Sequence, residues 1–437
     1  MRDLRTSEIV RFYYPLALSW LFMGLESPIS IAVLSRLPGA EVNTAGYFIM
    51  MGLALWIESP VIDLLSTSTT LSRSHADFIV LRRFALGVMA FVTVVHVLVA
   101  FTPLYGFVTE SLMRLPHGVS ASARDGFRIM FLWSAFIGWR RFLQGVMIRQ
   151  GLTKRVGFGT LVRLSAMSTS ALSLYLLTKL PGISIAAIAL MCAVLAEAVY
   201  VHIASRPAVR LLELEETGQS PPLTLRKLMA FHLPLTATTA VMMLGSPIVG
   251  AALARAPQSI LSLAAWQVAQ SLLWLHRTVV FALPEVVITL YRDASSALML
   301  RRFSLSVGLV SSVLVGVVTL LGLDTWFFTV VLQESPKVAA AARIAYLAGA
   351  LLPFVGAMQS YVRGMLTAHH LTLARFGAVL VSLGCAAFFL WLTVVVGIAG
   401  VVSAAIALTI SLIAELAFLI YAWRRGRSTT AAPYPIG

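Results

Sequence analysis

Apolar runs separated by short polar breaks recur along the whole chain. They cover about 12–34, 44–69, 84–106, 127–148, 156–178 and 183–204, then about 229–253, 262–290, 303–322, 338–362, 374–396 and 400–423. Each is about 20 residues or longer, the length a helix needs to cross a hydrocarbon core of about 30 Å. Lipid offers no hydrogen bonds, so the backbone must satisfy itself and each run is predicted as α-helix. The pattern therefore predicts an all-α integral membrane protein with about twelve transmembrane helices.

The twelve runs are six written twice. Pro15 matches Pro234 at an offset of 219 (234 − 15). The same offset joins Ser27-Pro28 to Ser246-Pro247, Arg36 to Arg255, Pro38 to Pro257, Arg73 to Arg292, Arg82-Arg83-Phe84 to Arg301-Arg302-Phe303, and Gly145 to Gly364. Near the end it slips by one, placing Glu197 on Glu415. An even number of spans per half leaves both halves in one orientation. The prediction is two parallel, pseudo-symmetric six-helix lobes about an axis along the membrane normal. The lobes are read as 1–205 and 227–427, with a polar linker at 206–226 and a disordered tail at 428–437. A cleaved leader is rejected for the first run, because that run is the repeat partner of 229–253. Pro28 and Pro247, at matched depth, are hinge candidates.

Composition agrees with the pattern. The chain is 59% hydrophobic and 12% charged, against about 25% charged in soluble domains. Its net charge of +15 lies mostly in loops. Arg2, Arg5 and Arg11, then Arg82 and Arg83, Lys154 and Arg155, Arg301 and Arg302, and Arg424 and Arg425 all fall on one side. By the positive-inside rule both termini are cytoplasmic, in a cell membrane of the inner type. The basic balance thus reflects topology and the lipid headgroups beside it, and nucleic acid is not an expected partner. Cys192 and Cys385 fall inside predicted spans and imply no disulfide or metal. There is no P-loop, zinc spacing, Ser-His-Asp pattern or cofactor fingerprint, so no enzyme activity and no cofactor are expected.

Charges at mid-membrane cost about 2.5–3.5 kcal/mol each on insertion scales, so they mark cavities or partners. Arg140 and Arg141 lie near the middle of the fourth span, and His276 and Arg277 near the middle of the eighth. These four are the candidate substrate-binding residues. A guanidinium fork binds phosphate or carboxylate bidentately, and cations on both lobes suit a small polyanion held between them. Glu58, Asp63 and Glu285 are the candidates for coupling or gating. Glu58 and Arg277 are repeat mates of opposite sign, which suggests an ion pair across the central cleft. Glu197 and Glu415 are mates of the same sign, which favours a packing role in both lobes.

Two known families show two six-helix halves in parallel. The loop Leu71-Ser-Arg-Ser-His-Ala-Asp-Phe78 lacks the glycine usual in the major facilitator family. Arg11-Phe-x-x-Pro-Leu16 and Met229-Ala-Phe-His-Leu-Pro-Leu235 instead resemble the helix openings of the multidrug/oligosaccharidyl-lipid/polysaccharide (MOP) flippase superfamily, which includes the multidrug and toxic compound extrusion (MATE) transporters. Val10-Arg-Phe-x-x-Pro-Leu16, Pro60-x-x-Asp63, Val95-His-Val-Leu-Val-Ala100 and Leu104-Tyr105 resemble the progressive ankylosis (ANK) protein family within it. The resemblance implies a MATE-like fold and export of pyrophosphate, ATP or citrate-like anions. It supplies no residue-level binding motif. The expected function is alternating-access export of small organic or phosphorylated anions by a monomer, with H+ or Na+ as the coupling ion. The alternatives are a lipid-linked oligosaccharide or peptidoglycan-precursor flippase, then multidrug efflux.

Overall fold

A computed structural model describes residues 4–214, 223–369 and 373–429. The centre of the predicted linker and the end of the predicted tail lie outside these, as does His370. The first lobe runs α1 (Thr6–Gly24), α2 (Glu26–Leu34), α3 (Ala40–Ile62), α4 (Leu64–Leu71), α5 (His75–Phe101), α6 (Leu104–Gly106), a π-turn (Phe107–Leu112), α7 (His117–Ile129), α8 (Trp133–Arg149), α9 (Thr153–Leu177), α10 (Gly182–Ala204) and α11 (Arg206–Leu214). The second runs α12 (Leu225–Met243), α13 (Gly245–Arg255), α14 (Ser259–Thr278), a 3-10 turn (Val279–Ala282), α15 (Leu283–Leu290), α16 (Ala294–Leu320), α17 (Leu323–Trp326), a π-turn (Phe327–Val331), α18 (Pro336–Ala348), α19 (Leu352–Ala368), α20 (Leu373–Val395) and α21 (Gly400–Thr429). Most second-lobe helices begin 219 residues after their mates; α20 and α21 are one residue off in opposite senses.

The breaks repeat with the helices. Proline has no N–H to give the carbonyl four residues back. Pro28 thus frees the Gly24 carbonyl, and the first span is interrupted at Leu25 between α1 and α2. Pro247 does the same at Met243, and the seventh span is interrupted at Leu244. The cap before α5 is Ser74, whose hydroxyl accepts from the Asp77 amide; its mate Asp293 caps α16 through Ser296. Gly145 lets α8 touch α4, since a Cβ there would sit 1.9 Å from the Ser68 hydroxyl and 2.5 Å from the Leu65 carbonyl. Its mate Gly364 meets the Val287 side chain at 2.7 Å.

Among the described residues ten helices are long and apolar enough to cross a membrane, or eleven if the bent pair α18–α19 is one span. The remaining span of the twelve is α7–α8. The hydropathy pattern predicts one run at 127–148, but the span starts earlier, breaks between Ile129 and Trp133, and carries Arg124, Asp125, Arg128, Arg140 and Arg141. Only partners inside the protein make such a segment tolerable in lipid.

The lobes meet through their first helices, each of which packs on both lobes. On the face bearing the termini, α1 keeps contact with α9 of its own lobe and packs on the 3-10 turn, α14 and α15 of the second. Leu4 and Ile9 are buried there with Val286, Val287, Leu300 and Met365. In mirror fashion α12 packs on α3 and α4 of the first lobe. The Tyr13 hydroxyl donates to the Val279 carbonyl at 3.0 Å and its ring meets Phe303 edge-on at 5.2 Å. The mates of those two rings, His232 and Phe84, also meet edge-on, at 5.1 Å, and His232 Nδ1 bonds Thr67 at 2.9 Å. Towards the opposite, distal face the lobes close through α3 against α13 and α14, and through α2 against α14. Gln267 donates to Ser27 across this seam at 3.0 Å.

Candidate functional site

The first lobe buries a network of charges around Trp133. This indole is buried at the start of α8, where its N–H donates to Glu58. Its ring face receives Arg163 of α9, 5.6 Å from the centroid. Arg163 is bidentate to Glu26, through Nε and through Nη2 at 2.6 Å, and its Nη1 lies 3.7 Å from Glu197. Glu197, on α10, accepts from Arg140 at 2.7 Å and from Gln144 at 3.2 Å. Three carboxylates and the arginines 140, 141 and 163 thus share one region contributed by the first, second, fourth, fifth and sixth spans. Buried charges persist when they are paired and hydrogen-bonded in this way.

The second lobe keeps a reduced version. Arg363 on α19 pairs with Glu415 on α21. Arg363 is the mate of Gln144, while Arg140 has Gln359 as its mate. Each lobe therefore sets one arginine and one glutamine, a turn apart, near the same glutamate position. Gln359 donates to the Leu412 carbonyl at 2.9 Å. Gly245, Ser360 and Ser382 stand where the first lobe has Glu26, Arg141 and Arg163.

The predicted site residues separate accordingly. Arg140 is committed to Glu197 inside its own lobe. His276 shares a 2.9 Å hydrogen bond with Tyr346 of α18. The Glu58–Arg277 pair suggested by the repeat is not formed, because Glu58 is turned to Trp133 and the mate of Trp133 is Leu352, which has no polar atom to offer. Arg277 instead lies 5.6 Å over the ring of Trp274. Trp274 in turn packs against Phe281, and Phe281 against Trp20 of α1, so an aromatic cluster bridges the lobes beside this guanidinium. Arg141 has a buried Nε without a partner among the described residues. Asp63, where α3 gives way to α4, has one buried oxygen likewise without a partner. Arg141 and Arg375 lie close enough to act on Asp63 electrostatically, and Thr239 of the other lobe is near it. Glu285 is exposed in the first turn of α15. Among the described residues neither Arg277 nor Arg141 lies within ion-pair distance of a carboxylate, in contrast to Arg140, Arg163 and Arg363.

A cavity of about 340 Å³ on the distal side of the second lobe, lined by Gln258, Leu261, Ser262 and Ile344 among others, lies away from all of these charges. No group of three or more His, Cys, Asp or Glu residues suited to a metal ion occurs among the described residues.

No family profile matches the chain, and no curated protein does. Solved structures do. An inward-facing multidrug resistance MATE family transporter of the MOP superfamily aligns with a TM-score of 0.70 at 12% identity, over 95% of this chain and all of that one. An outward-facing MATE family transporter aligns at 0.65 and 14% identity, over 97% and 96% of the two chains. A MOP superfamily transporter from Pyrococcus furiosus, described as having a binding pocket of reverse polarity that suggests a different function, aligns at 0.61 and 13% identity, over 98% and 99%. The fold is therefore that of the MATE transporters. The progressive ankylosis resemblance has no counterpart among these matches.

Proposed function

We propose that the chain is an alternating-access transporter whose two lobes expose a site between them to each side of the membrane in turn, and that the site takes a small organic or phosphorylated anion. Citrate, pyrophosphate and ATP represent that class. The observation that carries the substrate class is Arg277. It sits near the middle of the eighth span, beside an aromatic cluster shared by both lobes, and has no carboxylate to neutralise it. An uncompensated guanidinium within a span is costly unless it meets water or a counter-anion, and it offers a bidentate fork to phosphate or carboxylate. Arg141 adds a cation on the first lobe whose buried Nε has no hydrogen-bond partner among the described residues, although Glu58 and Glu197 lie in the same region. Asp63 and Glu285, near Arg375, are the groups proposed to couple H+ or Na+ to the cycle. The terminal face is taken as cytoplasmic, from the arginines that line it.

Multidrug efflux is the second reading. The neighbours of known name favour it, and the Trp20–Trp274–Phe281 cluster offers flat surfaces to a planar drug. Arg277 opposes a cationic drug at the same place. The Pyrococcus furiosus protein supports treating pocket polarity as variable within this fold.

Flux in proteoliposomes of the purified protein separates the readings. Saturable uptake of citrate, pyrophosphate or ATP, reduced at least tenfold by Arg277→Gln in protein that remains monodisperse, is the expected result. Extrusion of a cationic dye, unaffected by Arg277→Gln and without anion flux, would replace the anion reading with multidrug efflux. Movement of a fluorescent lipid-linked diphosphate alone would replace it with a flippase.

A further inference from the structure

The distal ends of the lobes are fastened by two arginines that obey the repeat. Arg36 follows α2, and its guanidinium donates to the Ala32 carbonyl of its own helix and to the Val331 carbonyl of the other lobe at 2.8 Å. Arg255 ends α13. It donates to the Ala251 carbonyl at 2.6 Å, to Met113 at 2.8 Å and to Leu112 at 2.7 Å. Ala32 and Ala251 are repeat mates, as are Leu112 and Val331. Each arginine thus reaches from the last turn of one lobe's first span to the end of the other lobe's π-turn. Carbonyls at helix ends lack partners within the helix, so each π-turn presents acceptors that a guanidinium from the other lobe can satisfy.

One side carries an extra element. Glu334 follows the second π-turn and is buried at 5% exposure. Its carboxyl accepts from Ser35 at 2.5 Å and from Thr44 at 3.4 Å, both in the first lobe. Its mate is Leu115, so the first lobe has no equivalent. The charged groups around it are Arg36 beyond α2, Glu41 on α3 and Lys337 on α18, the last exposed. Burial pushes the Glu334 carboxyl up, the Ser35 and Thr44 hydroxyls pull it down, and Glu41 pushes it up again.

We propose that this junction is the distal gate of the transport cycle, held shut by Arg36 and Arg255 and made sensitive to distal proton concentration by Glu334. The proposal rests on the two-lobe cycle above, but not on the substrate. Opening exposes Glu334 to water, where its affinity for a proton falls to that of an ordinary carboxylate. Protonation therefore favours the shut gate. As distal pH rises past the ordinary carboxylate range, the charged form accumulates and opening becomes easier. Removing either arginine releases one cross-lobe fastening whatever the pH.

The test is a distance measurement across the gate, independent of flux. Cys192→Ala and Cys385→Ala remove the native thiols, and Leu180→Cys with Val396→Cys places one spin label on each lobe at the distal face. The labelled protein in lipid nanodiscs is measured by pulsed electron resonance at pH 5 and pH 8. A short distance should dominate at pH 5, with a longer one growing at pH 8. Arg255→Ala should raise the ratio of long to short about tenfold at both values, the effect of losing bonds from a charged donor. Glu334→Gln should hold the same distribution at both. Lys179→Ala, which removes an exposed cation from the same face, should change nothing. Unchanged distances in both Arg36→Ala and Arg255→Ala would overturn the latch. An undiminished pH response in Glu334→Gln would overturn the proton sensitivity. Failure of anion flux with these distance changes intact would count against the substrate reading alone.

Discussion

The two lobes share helix order, breaks and caps, yet they hold charge differently. The first lobe gathers Glu26, Glu58, Glu197, Arg140, Arg141 and Arg163 around one buried indole. The second, on the same scaffold, keeps Arg363 with Glu415 and leaves Arg277 on a tryptophan face. What both lobes keep is a glutamate on the last span of the lobe and an arginine about two or three turns along its fourth. The rest of the first lobe's network has no counterpart at the mate positions Gly245, Ser360 and Ser382. A fold requirement is shared by both lobes, whereas a lobe-specific charge points to a task.

The largest expected break of this comparison is Arg163→Ala. It leaves Glu26 and Glu197 buried with less compensation, and should cost about 3 kcal/mol or more. Ser382→Ala at the mate position should stay within about 0.5 kcal/mol. Thermal unfolding in detergent checks both, and equal losses would show that the network is not what separates the lobes. Next is Gly145→Ala, where the added methyl meets backbone of α4. A loss of roughly 3 kcal/mol is expected, at the upper end for overpacking, against about 2 kcal/mol for Gly364→Ala, whose added methyl meets the Val287 Cβ at 2.7 Å but backbone only at 3.2 Å, the Pro284 carbonyl. The same unfolding assay ranks them, and a reversed order would contradict the difference in contact. A charge transplant sharpens the comparison further. Arg140→Gln alone should destabilise the first lobe by about 2 kcal/mol, and adding Gln144→Arg, which copies the second lobe's arrangement, should recover at least half. No recovery would mean the two arginine positions are not interchangeable around their glutamate. Smallest is Gln258→Gly. Gln258 has φ 51° where its mate Gly39 has φ 75°, so glycine should stabilise by up to about 1 kcal/mol, seen as a small rise in melting temperature.

The fold was legible because lipid makes hydropathy explicit and the 219-residue offset can be checked residue by residue. Pro28 and Pro247 located two breaks before any coordinate. The fourth span was the least legible, because its helix starts at His117 inside a stretch too charged to read as membrane. The site was legible as a set of residues but not as a set of pairs. Which charge meets which depends on helix rotation, and a step of about 100° per residue redirects a side chain entirely. Glu58 illustrates this: the repeat suggested Arg277 opposite it, while the decisive neighbour was Trp133, a residue whose importance lies in an N–H that Leu352 lacks. The distal arginines were overlooked for another reason. Arg36 and Arg255 stand out in the sequence only as cations matched by the 219-residue offset. Their acceptors are backbone carbonyls, which leave no mark in a sequence.

The first-lobe network also bears on how the chain is made. Arg140 leaves the ribosome 57 residues before its partner Glu197, and Arg363 leaves 52 residues before Glu415. At synthesis rates of about 5–20 residues per second, each arginine waits roughly 3–11 s for its carboxylate. During that interval the fourth and tenth spans carry a charge that lipid disfavours, so neither is released into the bilayer as a finished helix on its own terms. Each is expected to insert less readily than the other spans until the sixth or twelfth arrives. A nascent chain truncated before Glu197 or Glu415 leaves that arginine without the carboxylate it pairs with in the folded lobe.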